Sequence, residues 1–437
     1  MVAPLHVEDQ ILYERANKMR LLTLNRPKKL NSLDTSLVLH LLRYLKTCEF
    51  SRDIKLVLLK GSGKTFCAGG DLKHVADMFL DAPDAYTALS NIRNYSQIYG
   101  ILHLLATMTT PVVTMMDGIT YGAGCAISAF SQFRIATENT CLAMPETVIG
   151  AFCDMGSSYF MSRLDCNLGV YLALTGRSLK GEDVYLSGFA THFVHSSKLK
   201  DLEACLAEIT DYDLESINCI IEEFAVDRNH KPSNYTMHGE LLEKINDWFH
   251  YDTVEEIIDA LRKDGSDFAL KTANTILSHS PTGLKITLES YRRGKAMSII
   301  ECFKMETRIW HVYPYLPDFK NGVSTRLVEK KLPQWSPSTL EEIDLELDIR
   351  ARIFHSFSHW TFDLVYEKDY FERPFEFTLP NEKEILDAQL VYGLNTIEKA
   401  TRWFQENSKR KKYGIVEKIT DVFNRHNSHF NYLTARL

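Results

Sequence analysis

The ten residues Asp117-Gly118-Ile119-Thr120-Tyr121-Gly122-Ala123-Gly124-Cys125-Ala126 stand between an apolar run, Pro111 to Met116, and a helical pattern that starts near Cys125. A strand that ends in small residues and turns directly into a helix presents that helix's unpaired N–H groups and positive dipole end. Such an end suits an anionic ligand or a developing oxyanion. The stretch is neither a P-loop nor a GxGxxG followed by the expected acid, so a nucleotide reading is poorly supported.

Working outward, strand and helix patterns keep alternating. Met19 to Leu24 (MRLLTL) reads as a strand that stops at the turn Asn25-Arg26-Pro27. Leu37, Leu41, Leu42 and Leu45 recur at helical spacing between Thr35 and Cys48, and Ile54 to Leu59 (IKLVLL) reads as a second strand. A helix from Ser90 to Met108, the strand Pro111 to Met116, the Gly-rich loop, a helix from Cys125 and a strand near Phe133 to Ala136 follow. Strands alternating with helices imply an α/β core. After about Asp211 the patterns at 240–249, 254–263, 267–278 and 298–311 are all helical. Leu332 to Ser338 (LPQWSPS) reads as a hinge or an extended arm. In the tail, Leu386, Leu390, Leu394 and Ile397 form one expected apolar face, and Ile415, Ile419 and Val422 another. Residues 1–210 are therefore expected to form the core, 211–341 a helical region, and 342–437 a tail with amphipathic helices.

Two further segments place special backbone or carboxylates after a strand. In Phe66-Cys67-Ala68-Gly69-Gly70-Asp71, consecutive small residues let a backbone N–H reach a ligand oxygen, although alone the segment reads as a tight turn. In Met144-Pro145-Glu146-Thr147-Val148-Ile149-Gly150 and the following Asp154-Met155-Gly156, two carboxylates lie eight residues apart in a stretch otherwise uncharged as far as Ser162. Carboxylates kept from water are costly unless they have a task or a partner.

Composition narrows the alternatives. The 437 residues are 45% hydrophobic and 24% charged, as in globular proteins, which excludes a disordered or collagen-like chain. Fifty Lys and Arg against 57 Asp and Glu leave a net charge of −7, so any nucleic-acid contact has to be local. Nine scattered cysteines without a CxxC pair suit a reducing compartment and offer no metal framework. Cys67, Cys125 and Cys153 read as small buried hydrophobes. His355 and His359 have zinc-pair spacing but lack the Glu of HExxH, and read as surface or core histidines. The uncharged stretch Asn94 to Met116 is broken by Gln97, His103 and Pro111, and reads as a buried helix and strand rather than a membrane span. Glu8, Asp9 and Glu14 argue against an evident mitochondrial presequence.

Taken together, in this order and spacing, LNRPKKLNSL (Leu24 to Leu33), FCAGGDL (Phe66 to Leu72), DGITYGAG (Asp117 to Gly124), AMPETVIGAFCDMGSSYFMSRL (Ala143 to Leu164) and LTGRSLKGED (Leu174 to Asp183) resemble the crotonase, or enoyl-CoA hydratase/isomerase, superfamily. Within it the likeness is greatest to the 3-hydroxyisobutyryl-CoA hydrolase group. It continues through SPTGLKIT (Ser280 to Thr287), METR (Met305 to Arg308) and DFKNGV (Asp318 to Val323) to KKLPQW (Lys330 to Trp335). The resemblance implies a spiral of repeated ββα units with a helical C-terminal region. The activity it implies is that of a thioester hydrolase of valine breakdown, located in the mitochondrion. It implies no cofactor, coenzyme A being part of the substrate, and no metal, and it leaves the oligomeric state open.

The resemblance also implies roles. Gly70 and Ala123 match the two N–H donors of the family's oxyanion hole, Glu146 its acid/base glutamate, and Asp154 the aspartate typical of the hydrolase group. Arg26, Lys28, Lys29, Asn31 and Ala68 match the segments that hold coenzyme A. Ala126 stands where hydratases carry a second glutamate, which disfavours hydration. The chain departs from the family at Ala123, where a glycine is usual, and at Cys153-Asp154-Met155-Gly156-Ser157-Ser158, where PDVGGG is usual. Beyond about Glu342 the tail resembles the fungal members of the group, some of which occur as proteins of the mitochondrial small ribosomal subunit. A contact with RNA or protein through this tail, with Lys409-Arg410-Lys411-Lys412 as its basic patch, is the alternative expectation.

Overall fold

Strands covered on both faces lose the polar alternation of half-exposed ones, and the apolar runs of this chain behave in that way. In the computed structural model, which describes residues 10–80, 85–233, 235–355, 362–372, 377–407 and 412–434, six strands form one sheet and four a second. The larger has the order β1 (Ile11–Ala16), β2 (Met19–Leu24), β3 (Leu56–Gly61), β5 (Val112–Met116), β7 (Phe133–Ala136) and β10 (His192–Phe193). The smaller has the order β4 (Thr65–Cys67), β6 (Ile119–Tyr121), β8 (Cys141–Ala143) and β9 (Leu179–Lys180). From β3 to β8 the chain visits the two sheets in turn and inserts helices after each pair, Leu72–Leu80 and Ala85–Thr107 after β4 and Ala123–Ala129 after β6. This is the expected repetition of ββα units.

Residues two apart on a strand share a face, and the large sheet divides its side chains accordingly. Leu22, Leu24, Val57 and Leu59 join the main apolar cluster. Leu21, Leu56, Leu58, Val113 and Ile135 join a second one, closed by Leu202, Leu206, Ile217 and Ile221 from the helices Leu199–Glu208 and Leu214–Phe224. Helix Thr35–Phe50 starts where Asp34 accepts the Leu37 N–H at 2.9 Å, and buries Leu37, Val38, Leu41, Leu42 and Leu45. Each such side chain contributes about 1.5–3 kcal/mol by its burial.

The helices of the second half lie within a residue or two of their expected places: Gly239–Phe249, Val254–Asp264, Asp267–Leu277 and Ile299–Trp310. Two begin with reciprocal caps, Thr253 with Glu256 and Ser298 with Glu301. The segment 332–338 is an arm rather than a hinge, fixed by Trp335 Nε1 on the Ser278 carbonyl at 3.0 Å and by the Ser336 N–H on Asp318 at 2.8 Å.

The tail is built into the body. Phe404, Tyr413, Ile415, Ile419 and Val422 belong to the same apolar cluster as Leu37 and Ile257. Lys418 reaches Asp165 at 2.7 Å, and the Tyr413 hydroxyl donates to Glu182 at 2.7 Å. Two expectations need correction here. Leu390 does not share a buried face with Leu394, because Gly393 at φ +64 ends helix Glu382–Tyr392 between them, and Leu390 stays 83% exposed. Lys412 is no part of a surface patch, for it is buried against Glu222, His192 and the Thr191 carbonyl. Lys409, Arg410, Lys411 and His359 lie outside the described residues. Among those described, no helix is long and apolar enough to cross a membrane, and no cluster of His, Cys, Asp and Glu has metal-site geometry.

Candidate active site at the ends of three parallel strands

Strands β4, β6 and β8 are adjacent and parallel. Neighbouring strands lie about 4.8 Å apart, so residues just past their ends are gathered into one place. Gly70 follows β4, Ala123 follows β6 and Glu146 follows β8, each within three residues of the strand end. The three sequence segments that stood apart in the chain are therefore joined by sheet register.

The contacts at the glycines show how closely they meet. A Cβ on Gly69 would lie 3.0 Å from the Tyr121 carbonyl and 3.5 Å from the Ala123 nitrogen. One on Gly122 would lie 2.7 Å from Glu146 Oε1. The turn at 69–70, the helix start at 122–123 and the Glu146 carboxyl thus lie side by side. Gly70 is fixed by a bridge to Leu33, in which the Leu33 N–H bonds Gly69 and the Asp71 N–H bonds Leu33, and its own N–H donates to no described residue. Ala123 is the first residue of helix Ala123–Ala129, whose leading N–H groups have no acceptor within the helix.

Alanine is accommodated at 123 because the unusual backbone belongs to its neighbours. Gly122 takes φ +51 and ψ −118, a conformation that side chains disfavour, while Ala123 is outside the positive-φ region. At Gly124 a Cβ would meet the Cys67 carbonyl at 2.3 Å.

Both expected carboxylates are buried. Glu146 is 9% exposed and Asp154 4%. Burial and the nearby Glu306 charge push Glu146 up to about 7, against the opposing pull of its own backbone amide and of Cys153. Asp154 is held well above the usual carboxylate range by burial and by Glu146 and Glu306, with the Trp310 indole acting the other way. Trp310 Nε1 donates to Asp154 Oδ2 at 2.6 Å. The turn after Asp154 carries two successive left-handed residues, Met155 at φ +56 and Gly156 at φ +79.

Glu306 and Trp310 were not foreseen as site residues. They sit four apart on helix Ile299–Trp310 and so face the same way. Glu306 is 0% exposed and accepts from the Gly156 N–H at 2.6 Å, the Ser158 N–H at 3.1 Å and the Ser158 hydroxyl at 2.5 Å. It too is pushed up to about 7 by burial. The available signal was an acid on the apolar face that Phe303 and Trp310 mark. Tyr95 completes the wall: its hydroxyl lies 2.7 Å from where a Gly70 Cβ would stand, and its ring packs edge-on against Trp310.

The residues expected to hold coenzyme A divide into two kinds. Arg26 is buried between Asp34 at 3.1 Å and Asp71 at 3.2 Å, and Asn31 bonds the Arg26 N–H and the carbonyls of Ser62 and Thr65. These two hold the loop together. Lys28 is exposed, Lys29 pairs with Asp71 at 3.0 Å while 61% exposed, and Ala68 is partly exposed beside the Gly69–Gly70 turn.

Comparison with known proteins identifies the family. Residues 19–350 match the family model described as enoyl-CoA hydratase/isomerase. A solved carnitinyl-CoA dehydratase from Mycobacterium thermoresistibile is 30% identical and covers 79% of this chain and 96% of its own, with a TM-score of 0.70. The mitochondrial 3-hydroxyisobutyryl-CoA hydrolase of Danio rerio is 39% identical over 76% of this chain and 86% of its own. The small ribosomal subunit protein mS47 of Neurospora crassa is 35% identical over 95% of this chain and 85% of its own. The chain belongs to the enoyl-CoA hydratase/isomerase family, with relatives among both the hydrolases and the ribosomal proteins.

Proposed function

We propose that this protein hydrolyses an acyl-CoA thioester of the 3-hydroxyisobutyryl-CoA type in the mitochondrion. The observation that carries the reading is the close approach of the Gly69 turn to the Gly122–Ala123 helix start, and of that helix start to the buried Glu146 carboxyl. The thioester oxygen accepts the two N–H groups, each such donor being worth on the order of 3 kcal/mol to a developing oxyanion. Glu146, held near neutrality, is partly ionised at physiological pH and acts as base toward water or as nucleophile toward the carbonyl carbon. Either route breaks the C–S bond, puts a water oxygen on the acyl carbon and returns a proton to the coenzyme A sulfur. Asp154, oriented by Trp310, faces the substrate's hydroxyl or the water. Lys28 and Lys29 meet the phosphates of coenzyme A, and no further cofactor takes part. Ala126 supplies no second acid, which argues against hydration. The test is release of free coenzyme A, followed as a thiol, from 3-hydroxyisobutyryl-CoA. Absence of release, with Glu146→Ala making no difference, refutes the reading.

A second reading is favoured by length. The hydrolase relative covers 76% of this chain and the family match ends at residue 350, whereas the ribosomal relative covers 95%. We infer that the segment beyond residue 350 serves attachment to the mitochondrial small ribosomal subunit. Leu390, Val391 and Tyr392, which are 83%, 71% and 58% exposed on helix Glu382–Tyr392, supply an apolar surface suited to a protein partner. Sedimentation with purified small subunits tests it.

A further inference from the structure

Cys153 occupies the position where the hydrolase pattern has proline, and a proline has no side-chain proton to give. Its side chain is 0% exposed, and its N–H is fixed on the Thr287 hydroxyl at 3.0 Å. The sulfur has three acceptors within reach: Glu146 Oε2 at 3.5 Å, the Met144 carbonyl at 3.6 Å and the Ala173 carbonyl at 3.9 Å. A thiol carries one proton, and the nearest of the three is also the one that bears charge when ionised. Burial and the adjacent Glu146 and Asp154 push the thiol well above its ordinary range, so it remains S–H, a donor and not a nucleophile.

Among the described residues, the other groups that face Glu146 offer it no cation. They are Cys125 on helix Ala123–Ala129, Tyr95 on helix Ala85–Thr107, Asp154 on its own loop, Tyr291 on helix Pro281–Gly294 and Glu306 on helix Ile299–Trp310. Each is neutral or negative. The two carboxyl oxygens have separate surroundings: Oε2 faces the thiol, and Oε1 lies against Gly122 at the start of the Ala123 helix.

We propose that Cys153 is a positioning residue for Glu146: its S–H donates to Oε2, favours the ionised carboxylate, and leaves Oε1 directed at the oxyanion turn. Because the kinetic part of this rests on the hydrolase reading, the deciding measurement is made on the resting protein. Glu146 is titrated by carbon-13 NMR or infrared difference spectroscopy of carboxyl-labelled protein, with Glu146→Gln identifying its signal, in wild type, Cys153→Ala, Cys153→Pro and Cys153→Ser. Loss of the donor in the Ala and Pro variants raises the Glu146 midpoint by about half a pH unit, the size a weak S–H donor supports. Serine, which retains a donor, restores the wild-type value, and the rising limb of kcat/KM against pH moves in parallel. A midpoint unchanged in Cys153→Ala, or one raised equally in Cys153→Ser, overturns the proposal. Wild-type protein that releases no coenzyme A overturns the hydrolase reading instead, and the carboxyl titration still decides the role of the thiol.

Discussion

The indole N–H of Trp310 donates to Asp154 Oδ2 at 2.6 Å across 156 positions of sequence, and so ties the helical second half to the catalytic-type core. A hydrogen bond contributes about 0.5–1.5 kcal/mol, and more where one partner is charged. Trp310→Phe keeps an aromatic ring, though a smaller one, and removes the donor. The expected outcome is a fall in kcat/KM of about 10- to 100-fold, with Asp154 pushed further up. Coenzyme A release measured against pH checks this, and an unchanged profile would show that Trp310 only fills space.

Glu146 couples function to a stability cost. Its folded pKa is raised to about 7 from an ordinary 4.5, so its contribution to stability is fully present below about pH 4.5 and is lost as pH rises through 7. Glu146→Gln is therefore expected to abolish hydrolysis while being more stable than wild type at pH 8, by about 1–3 kcal/mol. The difference should vanish toward pH 4.5. Scanning calorimetry at the two pH values measures it, and a variant less stable at pH 8 contradicts the assignment.

Lys412 is 2% exposed and its ammonium lies on Glu222 and His192. Chiefly through Lys412, against the opposing effect of burial, Glu222 is held down to about 2. The stability this gives is present above the ordinary carboxylate range and lost as pH falls toward 2. Lys412→Met leaves the partly buried Glu222 carboxylate without its cation, and a loss of up to about 3 kcal/mol is expected at pH 7. Denaturant unfolding reads that loss, and limited proteolysis should show the segment from 412 onward cut earlier than in wild type.

The exposed Leu390-Val391-Tyr392 surface gives the ribosomal reading a separable test. Helix Glu382–Tyr392 and helix Ile397–Asn407 together carry more acids than bases, which favours a protein partner over RNA phosphate. Leu390→Glu with Val391→Glu is expected to abolish co-sedimentation with small subunits while coenzyme A release and melting temperature stay unchanged. Co-sedimentation that survives the double change, or that disappears with added salt alone, counts against an apolar contact.

Much of the site was legible because its backbone is encoded locally. Glycines at 69, 70, 122 and 124 and the carboxylates at 146 and 154 announce a turn, a helix start and buried acids from their immediate neighbours. The short strands β4 and β6 fall in segments that read as Gly-rich loops and β8 carries no strand signal of its own, since three residues are too few to display a period. Their pairing supplies the reason the three segments meet.

The chain's sequence by itself determined the α/β alternation, the helical second half, and Glu146 and Asp154 as the acids to examine. Only the tertiary structure decided that Glu306 and Trp310 complete the site, that Arg26 and Asn31 hold their own loop, that Cys153 touches Glu146, and that Lys412 turns inward. Periodicity and turn chemistry are local properties that a linear pattern displays. The partner of a buried charge is chosen by which remote helix packs against it, and neither the Trp310 to Asp154 bond nor the Lys412 to Glu222 pair has any counterpart in neighbouring residues.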